Sequence, residues 1–177
     1  LCGHSFLHVV EKMITAFDRA FDNTLGYEGV MSTDRDDPGN YTPDGTFKGT
    51  KFGISARAYP NIDIENLTLE KAKQIYRLDY WEKPGFDKLP ESVAIQVFDG
   101  AVNSGVRASI MWLQRAVQTT ADGIIGPVTV ARSYAVAPDT IIRRYLGYRL
   151  SHMTDLSIWP SQGRGWARRI ARNLVGE

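Results

Sequence analysis

Apolar residues recur at spacings of three and four through Ile14, Phe17, Phe21 and Leu25, which predicts an amphipathic helix over 14–27. Gly26 and Gly29 bracket its end and leave Glu28 where the helix hands over to a loop. Between 30 and 54 the pattern breaks. Gly39, Gly45, Gly49 and Gly53, with Pro38, Pro43 and the turn pair Asp44-Gly45, predict a turn-rich stretch with short strands at best, a small hairpin or β-lobe. An irregular segment of that length inside a compact domain is more often functional than idle.

Helical periodicity then returns. Thr68 suits the N-cap of a helix through Leu69, Ala72, Ile75, Tyr76 and Tyr80 that runs to Trp81 and stops at Pro84-Gly85. Pro90 and Ser92 open the next. Its Val93, Ala94, Val97, Phe98, Ala101 and Val102 are apolar on more than one side, the mark of a central, buried helix. Ile110, Leu113 and Val117 define a helix over 106–117. Asp122-Gly123 turns the chain, Pro127 fits the first turn of a short helix, and Pro138 opens a longer one through Ile141, Ile142, Tyr145, Leu146 and Leu150. A last helix over 162–174 places Trp166, Ile170 and Leu174 on one stripe. The expected fold is mostly α, a helical bundle with a small irregular or β-hairpin lobe near its start, without repeats or linkers.

At 177 residues the chain fits one domain, or one built from two lobes, and can bury a core without disulfides or metals. Its single cysteine, Cys2, cannot form an internal disulfide and reads as incidental. No apolar run approaches the roughly 18 residues that cross a bilayer, and the stretch Phe6 to Val10 is too short for a signal peptide core. The sequence reads naturally from Met13 onward, so residues 1–12 are taken as a leader or appended remnant and 13–177 as the domain. The net charge of +1 conceals an asymmetry: from Arg143 onward seven arginines face Asp155 and Glu177, a local net of +5. A basic C-terminal third suits an anionic partner, and equally the wet face of a helix.

Metal chemistry finds little support. His4, His8 and His152 form no ligand pair beside a carboxylate, and the run Asp34-Arg35-Asp36-Asp37-Pro38-Gly39 lacks the twelfth-position glutamate of a calcium loop. There is no Gly-x-Ser-x-Gly elbow, phosphate-binding loop or dinucleotide fingerprint. Carboxylate chemistry remains. Cleaving a glycosidic bond needs a protonated acid at the leaving oxygen and a second group that places water or stabilises the oxocarbenium-like transition state. A glutamate at a helix end, facing a cleft, can keep its proton by desolvation. Glu28 has that placement, with Asp37 and Thr50 further along the following loop. Taken alone, this pairing is weak.

The surrounding motifs strengthen it. Tyr27-Glu28-Gly29, Asp37-Pro38-Gly39 and Gly49-Thr50-Lys51-Phe52-Gly53-Ile54-Ser55 resemble the signature of the glycoside hydrolase family 108 muramidases, lysozyme-like endolysins of phages and prophages. Downstream, Phe98-Asp99-Gly100-Ala101-Val102-Asn103-Ser104-Gly105 resembles the family's Phe-Asp-x-Ala-Val-Asn-x-Gly. Leu113-Gln114-Arg115-Ala116-Val117 with Asp122-Gly123-Ile124-Ile125-Gly126-Pro127 resembles its peptidoglycan-domain segment, and Gly165-Trp166-Ala167-Arg168-Arg169 its closing Gly-Trp-x-x-Arg. The resemblance runs from about Met13 to Asn173. It departs at Val30 and Asn40, where the family pattern has glycine, and in the extra residues 41–49.

What the resemblance implies is an α+β lysozyme-like fold, with a catalytic lobe over about 13–90 and a helical lobe over about 91–177. The activity implied is hydrolysis of the β-1,4 bond between N-acetylmuramic acid and N-acetylglucosamine, without cofactor or metal and as a monomer. Glu28 is the implied general acid, with Thr50 or Asp37 as second group; for both, a turn role is the alternative. Asn103 and Ser104 are candidates for sugar hydrogen bonds, or for capping their helix. Tyr41, Phe52, Tyr80 and Trp81 are candidate stacking platforms, or plain packing. Arg164, Arg168, Arg169 and Arg172 are candidates for contact with an anionic envelope; nucleic acid is not expected. As an endolysin it would stay in the host cytoplasm until released to the wall. A lytic transglycosylase using the same glutamate, and a non-catalytic wall-binding protein, are the rival expectations.

Overall fold

The computed structural model describes residues 14–25 and 31–175. Glu28, with Gly26, Tyr27, Gly29 and Val30, lies outside the described residues, as do Met13 and the leader with Cys2, His4 and His8.

The first helix, α1 (Ala16–Leu25), starts at a capping box: the Asp18 amide donates to Thr15 Oγ1 (3.1 Å) and the Thr15 amide to Asp18 Oδ2 (2.9 Å). Because Thr15 caps it, Ile14 falls before the helix and is 65% exposed, which removes it from the expected stripe. Phe17, Ala20 and Phe21 are buried, and Leu25 packs against the core.

The segment that follows is irregular, as the glycines and prolines predicted. It holds a 3-10 turn over Pro38–Asn40 and two short antiparallel strands, β1 (Thr50–Lys51) and β2 (Ile54–Ser55), paired Thr50 with Ser55 and Lys51 with Ile54. Residues between these elements are tied by single bridges, Ser32 to Thr50 and Tyr41 to Phe47. The two residues joining the strands, Phe52 and Gly53, have φ of +52° and +74°, the signature of a tight hairpin turn whose twist matches its strands. Phenylalanine rarely accepts that conformation. The turn is held from outside by Tyr76, whose hydroxyl donates to the Phe52 carbonyl (3.1 Å).

Thr68 caps α2 (Leu69–Tyr76) by accepting from the Lys71 amide (3.3 Å). The helix continues to Glu82, but its last stretch, Arg77–Glu82, is wound as a π-helix. A short 3-10 turn, Phe86–Lys88, leads to α3 (Glu91–Ser104). Then come α4 (Val106–Ala116), α5 (Pro127–Ala135), α6 (Pro138–Thr154) and α7 (Trp159–Val175). Prolines stand at the first turns of α5 and α6, where a missing amide donor costs nothing. The last helix begins three residues before the predicted start, because Pro160 is tolerated in its first turn.

Helix α3 is central and buried, packed by α1, α4 and α6, and α7 closes the bundle against α6. At Gly100 a Cβ would overlap the Tyr145 hydroxyl, so the missing side chain is what lets α6 seat on α3. That hydroxyl is 2.7 Å from Ser109 Oγ, which donates to the Val97 carbonyl (2.6 Å), so α3, α4 and α6 meet at one polar stitch. One buried apolar cluster spans α1, the hairpin and the bundle. Among the described residues no helix is long and apolar enough to cross a membrane.

Candidate active site

Two ends of chain flank the five residues 26–30, and both meet the β1–β2 hairpin. On one side, Leu25 Cδ2 lies 3.7 Å from where a Cβ would stand on Gly53. On the other, Met31 Cε lies 3.0 Å from the corresponding position on Gly49. Ser32 then exchanges backbone bonds with Thr50, its amide to the Thr50 carbonyl (2.8 Å) and the reverse (3.2 Å). Both glycines have positive φ, and at each a side chain would collide with a neighbour.

Thr50 sits between those anchors. Its Oγ1 is buried and has no hydrogen-bond partner among the described residues. A buried hydroxyl without a partner costs about 1–3 kcal/mol, so its retention needs a reason beyond local packing. Asp37 is different: exposed, and with Oδ1 committed to the Gly39 amide (2.8 Å) as cap of the 3-10 turn. The sequence offered both as second groups: the Thr50 hydroxyl has no partner among the described residues, and Asp37 uses one carboxylate oxygen as a local turn cap.

Asn40, one of the departures from the family pattern, is fully buried. Its φ is negative, so glycine's freedom is not needed there. Its Nδ2 donates to the Asp34 carbonyl (2.8 Å) and to Ser32 Oγ (3.3 Å), and its own carbonyl accepts from the Lys48 and Gly49 amides. The side chain therefore fastens the 32–36 loop to the base of the hairpin. The extra residues 41–49 form a small reverse turn at Asp44-Gly45, with the Tyr41 and Phe47 rings edge to face at 5.1 Å and the Arg35 guanidinium over Phe47.

The aromatic candidates divide. Trp81 is only 5% exposed and packs edge-on against Phe17, Phe86 and Phe98. It cannot offer a face to a sugar, which corrects its place among the stacking platforms. Tyr41, Phe52 and Tyr80 are half-buried. Phe52 stands two residues from Thr50 at the hairpin tip, with Lys51 Nζ 5.7 Å from its ring centre. Tyr80 lies beside Tyr76 at 5.2 Å, and burial raises the pKa of both phenols.

Asn103 is also redirected. Its Nδ2 donates to the Asp99 carbonyl (2.7 Å) and its Oδ1 accepts from Arg169, so its amide is engaged within the protein. Ser104 is half-buried as the last residue of α3. Arg169 leaves the group of outward arginines: it is 27% exposed and paired across to α3. Arg164, Arg168 and Arg172 remain exposed, one turn apart along α7. Leu174 is 55% exposed, outside the predicted stripe, because Asn173 takes the inward position and donates to Asp99 Oδ2 (3.1 Å). The site-like features the sequence did not announce are Ser32, Asn40 and Tyr76; the Tyr-x-x-x-Tyr spacing on α2 gave no sign that one hydroxyl pins the hairpin.

Downstream, Gln114 explains the Asp-Gly-Ile-Ile-Gly-Pro segment. Its buried amide donates to Asp122 Oδ1 (2.7 Å), the Ile124 carbonyl (3.0 Å) and Thr129 Oγ1 (3.2 Å), and accepts from the Gly123 amide (2.8 Å). The turn is a structural unit docked on α4. Open grooves border the irregular segment. One of about 500 Å³ is lined by Met31, Phe47, Lys48, Asp63 and Glu65, and another of about 460 Å³ by Asp63, Lys71, Gln74 and Leu78. Among the described residues no three His, Cys, Asp or Glu side chains converge as a cation site.

A family model described as Glycosyl hydrolase 108 matches residues 21–105, which take in Glu28, Asp37, Thr50 and the Asp99 to Gly105 motif. The solved structure of SagA from Brucella abortus is similar at 30% sequence identity, with 90% of this chain and 92% of SagA covered and a TM-score of 0.75. The chain belongs to glycosyl hydrolase family 108. No curated protein matches it. Membership makes the chain a glycoside hydrolase acting on peptidoglycan and accounts for a mostly helical, lysozyme-like fold with a small two-stranded sheet. In this family 108 chain the hairpin motif, Thr50 to Ser55, is what the flanks of residues 26–30 meet.

Proposed function

We propose that this family 108 chain is an N-acetylmuramidase that hydrolyses the β-1,4 bond between N-acetylmuramic acid and N-acetylglucosamine, with Glu28 as general acid and Thr50 holding the attacking water. The observation that carries the reading is that Leu25 lies beside Gly53 and Met31 beside Gly49, at opposite ends of one hairpin, with a Thr50 hydroxyl between them that has no partner among the described residues. Glu28 is three residues from each anchor, so chain connectivity alone keeps it within about 11 Å of both. In the proposed reaction Glu28 protonates the glycosidic oxygen as the bond to C1 stretches, and water held at Thr50 attacks C1. Asp37 takes the lesser role of turn cap.

Open grooves along the irregular segment suit an extended polymer better than an enclosed small substrate, which supports a glycan strand as ligand. Phe52 is the preferred stacking platform, since a strained residue beside a site has a use beyond packing. The catalytic lobe over 13–90 and the helical lobe over 91–177 are retained as the working division. Exposed Arg164, Arg168 and Arg172, on a helix without acidic residues, support contact with an anionic envelope. The endolysin role, with release from a host cytoplasm, rests on the family resemblance.

The test is mass spectrometry of fragments released from purified sacculi by wild type and by Glu28→Gln. Reducing N-acetylmuramic acid ends, lost in the variant, are expected. Anhydro ends would make the protein a lytic transglycosylase. Binding without release would leave a wall-binding module.

A further inference from the structure

Two lysines at the hairpin reach across to the 60–65 loop. Lys48 Nζ donates to the Pro60 carbonyl (2.7 Å) and Lys51 Nζ to the Glu65 carbonyl (2.8 Å), over 12 and 14 residues of chain. These bonds strap the loop to the hairpin and fix the groove of about 500 Å³ that Phe47 and Lys48 line together with Asp63 and Glu65. Met31, packed beside Gly49, lines it too, so the groove opens next to the strand pair. Asn61 borders it and both neighbouring grooves, one of about 350 Å³ shared with Lys48 and one of about 460 Å³ shared with Asp63 and reaching Lys71.

The groove holds charges of both signs. A lysine that donates to a carbonyl keeps its full charge and two of its three donors. Among the described residues neither Lys48 nor Lys51 has a carboxylate partner. Bonds from Asn66 hold the Asp63 carboxyl below its usual range, and the charges of Lys48 and Lys71 act in the same direction. Glu65 is exposed, and its carboxylate has no ion-pair partner among the described residues. The glycan of peptidoglycan offers such groups nothing ionic, because its amines are acetylated and its lactyl carboxyl is spent in the amide that carries the peptide stem. The stem has both signs: carboxylates, and the free amine of its diamino acid.

We infer that this groove binds the peptide stem, with a stem carboxylate at Lys48 and the stem amine at Glu65, so that strands bearing stems are cut in preference to bare ones. The inference rests on peptidoglycan as the substrate, and not on which residue is the acid. Charges of opposite sign fix the direction in which the stem lies, because a reversed stem would set like charges together. Exposed ion pairs are individually weak, so selectivity of about fivefold per pair is the scale expected.

Turnover would be measured for wild type, Lys48→Met and Glu65→Gln on glycan strands of matched length, one preparation bearing stems and one stripped of them by an amidase. The wild type is expected to show the higher kcat/KM on stem-bearing strands, and each variant to lose about fivefold of that preference. The stripped strand has a lactyl carboxylate but no amine, which makes Glu65→Gln the cleaner arm. Equal loss on both strands would assign the residues to holding the loop and overturn the inference. So would a wild type without preference, or variants that keep it in full. Should Lys48→Met fail to fold, Glu65→Gln decides alone. If the wild type cuts neither strand, the proposed muramidase reaction fails, and titration with free stem tetrapeptide tests the groove. Affinity about fivefold lower in Glu65→Gln then supports it, and equal or absent binding removes it.

Discussion

The irregular segment over 31–67 and the bundle of α3 to α7 both hold a backbone still, by different means. In the bundle the fixing is apolar: Val97, Phe98, Leu113, Ile141 and Leu146 are essentially fully buried, and helices approach where Gly100 leaves room. In the irregular segment Ile54 and Ile64 are buried, but the shape is a mesh of backbone bonds fastened by Asn40, Thr42 and Asp37. The bundle adds polar ties at Ser109 and Tyr145 and at Asp99 and Arg149, and keeps Gln96 Oε1 and Arg149 Nη2 without partners among the described residues. In the irregular segment, Thr50 Oγ1 and Asn40 Oδ1 have no partner among the described residues. The proposed chemistry sits where the two meet, backed by a rigid bundle and faced by a segment with hydrogen-bonding capacity in hand.

The comparison breaks most violently at Gly100. Alanine there would overlap the Tyr145 hydroxyl, and the expected loss is about 3 kcal/mol, or roughly 10 °C in melting temperature, read by thermal denaturation. A melting temperature within a degree or two of wild type would mean that α6 can shift, and that the bundle is less rigid than its packing implies. Gly53→Ala tests the other region. Positive φ and the close Tyr76 hydroxyl predict a loss of about 2 kcal/mol, with activity falling further than stability because the hairpin tip moves.

Thr50→Val sharpens the contrast, since it is expected to divide stability from activity. Removing a buried hydroxyl that has no partner among the described residues should leave the melting temperature unchanged or raise it. Loss of one water-holding bond should lower kcat about tenfold. A stability loss instead would show that the hydroxyl has a structural partner. Asp37→Ala should cost about 1 kcal/mol, as caps do, with turnover within about threefold of wild type. A hundredfold loss of turnover at constant stability would transfer the water-holding role from Thr50 to Asp37.

The smallest effect concerns the clamp of α1 on α2. Burial opposes the charge of Asp18, but Lys73 at 2.8 Å and the bonds from Thr15 outweigh it and hold the carboxyl well below its usual range. Its folded pKa is thus lower than its unfolded one, so its contribution is full above about pH 4 and is lost as pH falls through the folded value. Equilibrium unfolding of Asp18→Asn should therefore differ most from wild type near pH 7, with the gap closing in acid. A gap independent of pH would assign the effect to packing rather than charge.

Helix positions, the central burial of α3 and the irregular character of the 31–67 stretch were legible in the sequence, because periodicity and turn residues are local signals. The caps at Thr68, Pro127 and Pro138 were legible for the same reason. Local signals also misled in places. Ile14 and Leu174 extended apolar stripes that the fold ends one step sooner, at a cap and at Asn173. Trp81 looked like a platform because a tryptophan's exposure cannot be read from its neighbours in sequence.

By itself, then, the sequence determined the family and the order of elements, since these depend on residue type and spacing, and it supplied the candidates now proposed for the chemistry. Tertiary structure alone decided which polar groups are spent and which are spare. Asn103 and Arg169 both carry the right chemistry, but each finds partners inside the protein, with a bond between them across α3 and α7, 66 residues apart in sequence. Thr50 finds none among the described residues. A hydrogen bond depends on atoms meeting within about 3 Å, and for residues so far apart in the chain that meeting is fixed only by how the helices pack.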